Sequence, residues 1–346
     1  MLIRFSVSSS PSITHFPIDL CYNISIIYLK REENMELSEY NKLPLKELKE
    51  LLARLKKEKD AIILAHNYQR AEIQEVADFL GDSLGLARKA CEVSSRIIVF
   101  AGVRFMAETA KILNPSRKVL LPDLYAGCPL ADCAPIEALR EFKKKYPDYT
   151  YVAYVNSSVE VKAEVDIVCT SGNAVQLIQS LPSKKIVFLP DKNLANYVKR
   201  FVKDKEIIAW DGGCYVHTKI NLKHIDEARK KYPGAKIIVH PEAPPEVVDA
   251  SDGAFSTEGI INYVKGSEDP VVVGTEIGII DRIKREAPGK IVYPLKADAL
   301  CGNMKMITLP KLVWSLDVEK FEIEIPEEIR TRAYQSIWRM LELTKK

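Results

Sequence analysis

The sequence predicts an α/β fold built from three related units, each with its own parallel sheet. Three observations predict it. Short apolar, β-branched runs alternate with amphipathic helical stretches, polar residues stand where the runs end, and four such landmarks return every 85 to 88 residues. Runs too short for helices, separated by apolar residues three or four apart, are the βαβ pattern of a buried parallel sheet.

In chain order the runs are 61–65, 96–100, 119–121, 151–155, 166–169, 185–189, 206–209, 236–239, 253–255, 270–273 and 290–293. The segments between them are mostly helical in period, as Ile73, Val76, Ala77 and Leu80 show. The stretch "EVADFLGDSLGLARKA" reads as helix and lengthens the first unit. After Cys301 come two more helical stretches, 309–316 and 326–344, with no strand of their own; they are expected to pack back on the first unit.

The repeat lies in the exits. "AHNYQ", "YVNSS" and "HPEAP" place His66, Tyr154 and His240 at intervals of 88 and 86. "CTSGNA" and "FSTEGI" set Ser171 and Thr257 86 apart, "LPD" from Leu189 and "GTE" from Gly274 are 85 apart, and Cys128, Cys214 and Cys301 follow at 86 and 87. The first unit departs inside: Phe100 lies 34 residues past His66, whereas Cys169 and Phe255 lie 15 past Tyr154 and His240. Reactive side chains of parallel sheets stand at the carboxyl ends of strands. If three units turn those ends together, all these exits face one cavity.

A chain of 346 residues exceeds the roughly 250 to 300 at which one core stops growing. Its 50 basic and 47 acidic residues are spread along the chain, which argues against a nucleic-acid footprint. No apolar run approaches the roughly 18 residues of a membrane span, and residues 18–29 carry Asp19 and Asn23 with no cleavage site after them. Residues 1–34 are Ser-rich and without period. They read as a disordered or misassigned extension, with Met35 opening the folded chain. Seven cysteines, an odd number, and no secretory signal point to a reduced, cytoplasmic protein.

Cys21, Cys91 and Cys169 fit simple burial, and "CPLADC" leaves Cys133 ambiguous. Cys128, Cys214 and Cys301 differ, because each follows a strand-and-loop unit with glycine beside it. Three soft thiolates suit zinc, with His217 as a fourth ligand, or an iron-sulfur cluster with one iron left open. An open Lewis acid is what dehydration chemistry needs. Ser83, Ser171 and Thr257 stand ahead of helical stretches, where backbone N–H groups receive phosphate or carboxylate. His66, His217 and His240 mark three separate exits, and Glu242 is a candidate general base. A zinc-dependent hydrolase or lyase and a non-catalytic dicarboxylate-binding protein both remain open on these residues alone.

Taken together, "AHNYQ", "GDS", "AGCPLADC", "YVNSS", "CTSGNA", "DGGCYVH", "HPEAPPEV", "STEGI", "GTEIGI" and "CGNMK" resemble, in order, the quinolinate synthase (NadA) family of NAD biosynthesis. The resemblance runs from about Pro44 to the C-terminus and does not cover 1–34. It implies three homologous three-layer αβα domains around a pseudo-threefold axis, with the active site at the centre. The corresponding division is 35–129 with 302–346, then 130–214, then 215–301. It implies a [4Fe-4S] cluster on Cys128, Cys214 and Cys301, and a transferase that condenses iminoaspartate with dihydroxyacetone phosphate, losing phosphate and two waters. His66, Tyr68, Ser83, Tyr154, Asn156, Ser171, His217, His240, Glu242 and Thr257 match the family's active-site positions, with Tyr68, His66 and Glu242 as the proton-handling candidates. The partners implied are those two small molecules and a functional link to an iminoaspartate-producing enzyme.

Overall fold

A computed structural model of the chain describes residues 36–344. The extension expected at 1–34, with Cys21 and the Met35 start, lies outside them. Twelve strands among the described residues form three parallel four-stranded sheets. The first holds β1 (Ala61–His66), β2 (Phe79–Gly81), β3 (Ile97–Ala101) and β4 (Lys118–Leu120) in the order β2-β1-β3-β4. The second holds β5 (Thr150–Tyr154), β6 (Ile167–Cys169), β7 (Lys185–Leu189) and β8 (Glu206–Ala209) as β6-β5-β7-β8. The third repeats the order as β10-β9-β11-β12, from β9 (Lys236–Val239), β10 (Gly253–Ala254), β11 (Val271–Gly274) and β12 (Val292–Pro294).

A parallel sheet covered by helices on both faces needs apolar side chains on both. β3 and β11 are accordingly buried along their whole length. The covering helices show the matching stripe: Leu48, Leu51, Leu52 and Leu55 of helix Leu45–Glu58 are all buried, each contributing roughly 1.5–3 kcal/mol. One apolar cluster runs through all three sheets, and a smaller one around Ile220, Ile225 and Val247 lies in the third unit. No helix among the described residues is long and apolar enough to cross a membrane.

β2 corrects the sequence reading. The stretch read as one helix contains helix Ala71–Val76, then β2, then helix Ser83–Glu92. The strand ends at Gly81, 15 residues past His66, so the first unit keeps the spacing of the other two. Three aspartates fix the equivalence. Asp78, Asp166 and Asp252 each precede the edge strand and accept a backbone N–H from the first strand of their sheet, from Ile63 (2.8 Å), Tyr151 (2.7 Å) and Ile237 (2.8 Å). β3 and β4 then fall in register with β7 and β8, so the first unit is not irregular after all.

The two C-terminal helices part company. Leu309–Val318 lies against helices Leu37–Tyr40 and Leu45–Glu58 and against β3. Glu327–Leu343 instead packs on helix Val159–Glu164 and β6 of the second unit, besides helix Arg104–Leu113. Ser336 donates to the Lys162 carbonyl (2.6 Å), and Arg332 pairs with Glu164 (2.8 Å). Its apolar face requires a partner surface but does not say which, and the nearest uncovered one belongs to the second unit.

In each sheet the winding reverses between the first and third strands, at β1/β3, β5/β7 and β9/β11. Ligands of open α/β sheets bind outside the strand ends at such points. Each first strand ends in a nominated residue: β1 at His66, β5 at Tyr154, and β9 one residue before His240.

Candidate active site

The three switch points open on one cavity of about 720 Å³, its mouth included. Every residue nominated from the sequence lines it. The first unit brings His66, Tyr68, Ser83 and Cys128, the second Tyr154, Asn156 and Ser171, and the loop after β8 brings Cys214 and His217. The third supplies His240, Glu242, Thr257 and Cys301.

The cysteine loops are held by one recurring clamp. The carbonyl two residues before each cysteine accepts an N–H from the start of the helix that follows the third strand: Arg104 to Ala126 (2.8 Å), Lys192 to Gly212 (2.9 Å) and Ile277 to Ala299 (2.9 Å). Two of the loops carry a further anchor, since Asp191 accepts the N–H of Cys214 (3.3 Å) and Glu276 that of Cys301 (3.1 Å). Val103 occupies that place in the first unit. Gly212 is required where it stands, because a Cβ there would come 2.4 Å from the Pro190 carbonyl oxygen. The described cysteines are all free. Cys169 is buried in β6, while Cys91 is exposed rather than buried; Cys133, also exposed, donates to the Pro129 carbonyl (3.3 Å). None of these three lines the cavity.

Burial pushes the Cys128 thiol up to about 12 and raises Cys214 and Cys301 as well, so metal-free thiols keep their protons and a bound metal must displace them. Among the described residues, Cys214, His217 and Glu242 form the one set of three ligand atoms close enough for a single ion, within 4.8 Å of one another. Nδ1 of His217 lies 3.0 Å from Glu242 Oε2 but off the line of a hydrogen bond, and is otherwise without a partner.

His66 and His240 share one local design. The N–H two residues on, of Tyr68 (3.2 Å) and of Glu242 (3.3 Å), donates to ring Nδ1. The proton of the neutral ring therefore sits on Nε2, which in His240 meets Ser171 Oγ at 3.1 Å. Burial, with neighbouring positive charge, lowers both rings to about 3. Glu242 is buried too, yet His217, His240 and the hydroxyl of Tyr154 (2.6 Å) outweigh that burial and hold its carboxyl at about 2. Tyr68 and Tyr154 are raised well above the usual tyrosine value, first by burial and then by Glu242. Tyr68 Oη lies 2.5 Å from Thr275 Oγ1, which in turn lies 2.8 Å from His217 Nε2.

The depressed histidines set a sign for acid stability. Folded His66 and His240 stay neutral down to about 3, while unfolded histidine takes a proton near 6.5. The unfolded chain thus binds more protons in that window, and stability falls with acid by up to about 1.4 kcal/mol per pH unit for each ring. The urea midpoint of the metal-free protein should drop between pH 7 and 5, and less so in a His66→Gln, His240→Gln variant. Equal pH dependence in the two proteins would contradict these assignments.

Ser83 and Thr257 differ from the expected caps. Asp82 caps helix Ser83–Glu92 through Gly85 N (2.8 Å), and Ser256 caps helix Thr257–Gly266 through Gly259 N (3.2 Å). Ser83 and Thr257 are the first helical residues, on the cavity wall, with the positive ends of two helices behind them. Asn156 keeps a buried amide oxygen without a partner at the same wall. The cavity therefore offers neutral N–H donors, helix ends and an unsatisfied amide, which suits a polar, anionic ligand. Sequence reasoning missed Asp191, Thr275 and Glu276, although "LPD" and "GTE" mark their places.

A family model described as NadA, quinolinate synthetase A protein, matches residues 50–342. The chain is 48% identical over 297 residues to a quinolinate synthase of Thermodesulfovibrio yellowstonii, covering 86% of this chain and 98% of that protein. It is 49% identical over 294 residues to one of Dehalococcoides mccartyi, covering 85% and 97%. A quinolinate synthase of Caldicellulosiruptor bescii is 46% identical over 297 residues, covering 86% and 98%.

Proposed function

This chain belongs to the quinolinate synthase family, and from that premise we propose that it condenses iminoaspartate with dihydroxyacetone phosphate to quinolinate, releasing phosphate and two waters. The observation that carries the reading is the one cavity where three free thiols from three loops meet the neutral rings of His66 and His240 and the buried carboxylate of Glu242.

Cys128, Cys214 and Cys301 would hold a [4Fe-4S] cluster. When bound, such a cluster supplies a Lewis-acidic iron free of protein thiolate, suited to the loss of a hydroxyl as water. A mononuclear zinc site of three thiolates and His217 is less well supported. Zn–S bonds of about 2.3 Å need sulfurs roughly 4 Å apart, and the close set of ligand atoms includes only one of the three sulfurs.

The protein's own groups then divide the work. His66 and His240 would present Nε2–H to carboxylate or phosphate oxygens without adding charge. Ser83, Ser171 and Thr257, with helix ends behind two of them, would take further anionic oxygens. Asn156 would pair its orphaned amide with substrate. Tyr154 and His217 keep Glu242 ionised and oriented, so Glu242 would act chiefly as a fixed negative charge beside His217. Tyr68, kept protonated by its surroundings, would deliver a proton to a departing oxygen.

The test is anaerobic reconstitution with iron and sulfide, followed by incubation with dihydroxyacetone phosphate and an enzyme that generates iminoaspartate in place. Quinolinate should form in step with released phosphate. Tightly bound zinc without acid-labile sulfide, and no quinolinate after reconstitution, would favour the zinc reading.

A further inference from the structure

We propose that Asn67 is a positioning residue whose amide turns the hydroxyl proton of Thr257 toward the cavity, where it meets an anionic oxygen of substrate. This rests on the quinolinate-forming reading above. Asn67 is wholly buried and does not line the cavity, whereas Thr257 does, so Asn67 acts only through its neighbours. Its side-chain NH2 donates to Thr257 Oγ1 at 3.0 Å, and among the described residues that hydroxyl has no other hydrogen-bond partner. The positions matching Asn67 in the other units hold Val155 and Pro241, neither of which has a side-chain donor. The clamp therefore joins the first unit to the third alone.

The direction of the bond follows from the far side of the amide. The Asn67 side-chain oxygen accepts from the Arg282 guanidinium, a group that can only donate. The oxygen of the amide must therefore face Arg282, which leaves its NH2 for Thr257. Arg282 is itself fixed, by Glu258 (2.8 and 3.2 Å) and by Glu286 (2.6 Å). The Asn67 backbone is held as well, donating to the Gly81 carbonyl (3.2 Å) and accepting from the Gln74 side chain (3.1 Å). A free hydroxyl rotates and spends part of its time presenting a lone pair outward, which an anion must reverse on binding. With a lone pair already engaged by Asn67, Thr257 holds its proton ready, at the first residue of a helix whose positive end lies behind it.

Asn67→Asp keeps the shape and the bond to Arg282 but puts an acceptor where the amide donated, so the Thr257 proton turns away from the cavity. Each substrate is varied against saturating amounts of the other, with rates expressed per bound iron. KM for the substrate whose anion rests on Thr257 should rise roughly ten- to a hundredfold, the scale of a hydrogen bond to a charged group, while kcat changes little. Asn67→Ala frees the hydroxyl without reversing it, so it should raise KM less, although it disturbs packing more. In a Thr257→Val background, Asn67→Asp should raise KM no further, because its effect passes through the hydroxyl. Unchanged KM for both substrates, a larger rise from alanine than from aspartate, or an equal further rise in the Thr257→Val background would each overturn the assignment. If the aspartate variant is insoluble, Asn67→Ala with and without Thr257→Val carries the same comparison. Failure of the unmodified protein to make quinolinate would instead sink the functional reading, before any variant is measured.

Discussion

Cys214→Ala should leave a folded protein that, after anaerobic reconstitution, lacks the iron and acid-labile sulfide of a [4Fe-4S] cluster and makes no quinolinate above background. The fold should survive because what holds this loop is backbone. The Gly212 carbonyl accepts from Lys192 and the Cys214 N–H donates to Asp191, and alanine keeps both bonds. The side chain is half-buried, so removing one sulfur leaves little cavity behind. Losing one thiolate in three leaves two protein ligands, too few to keep a cluster whose other corner is open to substrate. The control is Cys169→Ala. Its thiol is fully buried in β6 and away from the cavity, so that variant should lose on the order of 1 kcal/mol of stability and keep its iron. A full [4Fe-4S] spectrum in the Cys214 variant, or equal iron loss in both, would remove Cys214 from the metal site.

The parts of this site readable in the sequence are those with a local signature. A strand followed by a polar exit can be seen in five or six residues, so His66, Tyr154, His240 and the three cysteines stand out through their spacing alone. β2 does not, because three residues are too few to show a period of two. Val76, Ala77 and Leu80 also satisfy a helical spacing, so the strand vanished between two helices. Its signature was present in another form, since Asp78, Asp166 and Asp252 precede equivalent strands at intervals of 88 and 86. Thr275, Asp191 and Glu276 belong to a different class. Their neighbours come from loops 23 to 207 residues away in sequence, so only the folded chain gives them a task. The last helix shows the same limit, since its stripe of Ala333, Ile337, Met340 and Leu341 demands burial without naming the surface that provides it.

Tyr68→Phe should separate chemistry from cofactor. Tyr68 is buried, with its ring edge-on to His66 at 4.7 Å and its backbone N–H on His66 Nδ1, contacts that phenylalanine preserves. Only the hydroxyl is lost, and its partner Thr275 still has His217 Nε2. Stability should therefore change by about 1 kcal/mol, the worth of a single hydrogen bond. Iron and sulfide content should match the unmodified protein, because the phenol oxygen bonds the Thr275 hydroxyl and none of the three cysteines. Turnover should nevertheless fall by roughly 10² to 10⁴, the range for removing a positioned acid, with KM nearly unchanged since the anion-holding groups remain. Comparing Tyr68→Phe with His66→Gln tells the phenol's role from its neighbour's. The histidine change removes a neutral donor facing the cavity, so it should weaken substrate binding and raise KM. Near-normal turnover in Tyr68→Phe would mean that the departing oxygen takes its proton from elsewhere in the cavity, and His217 would be the next group to test.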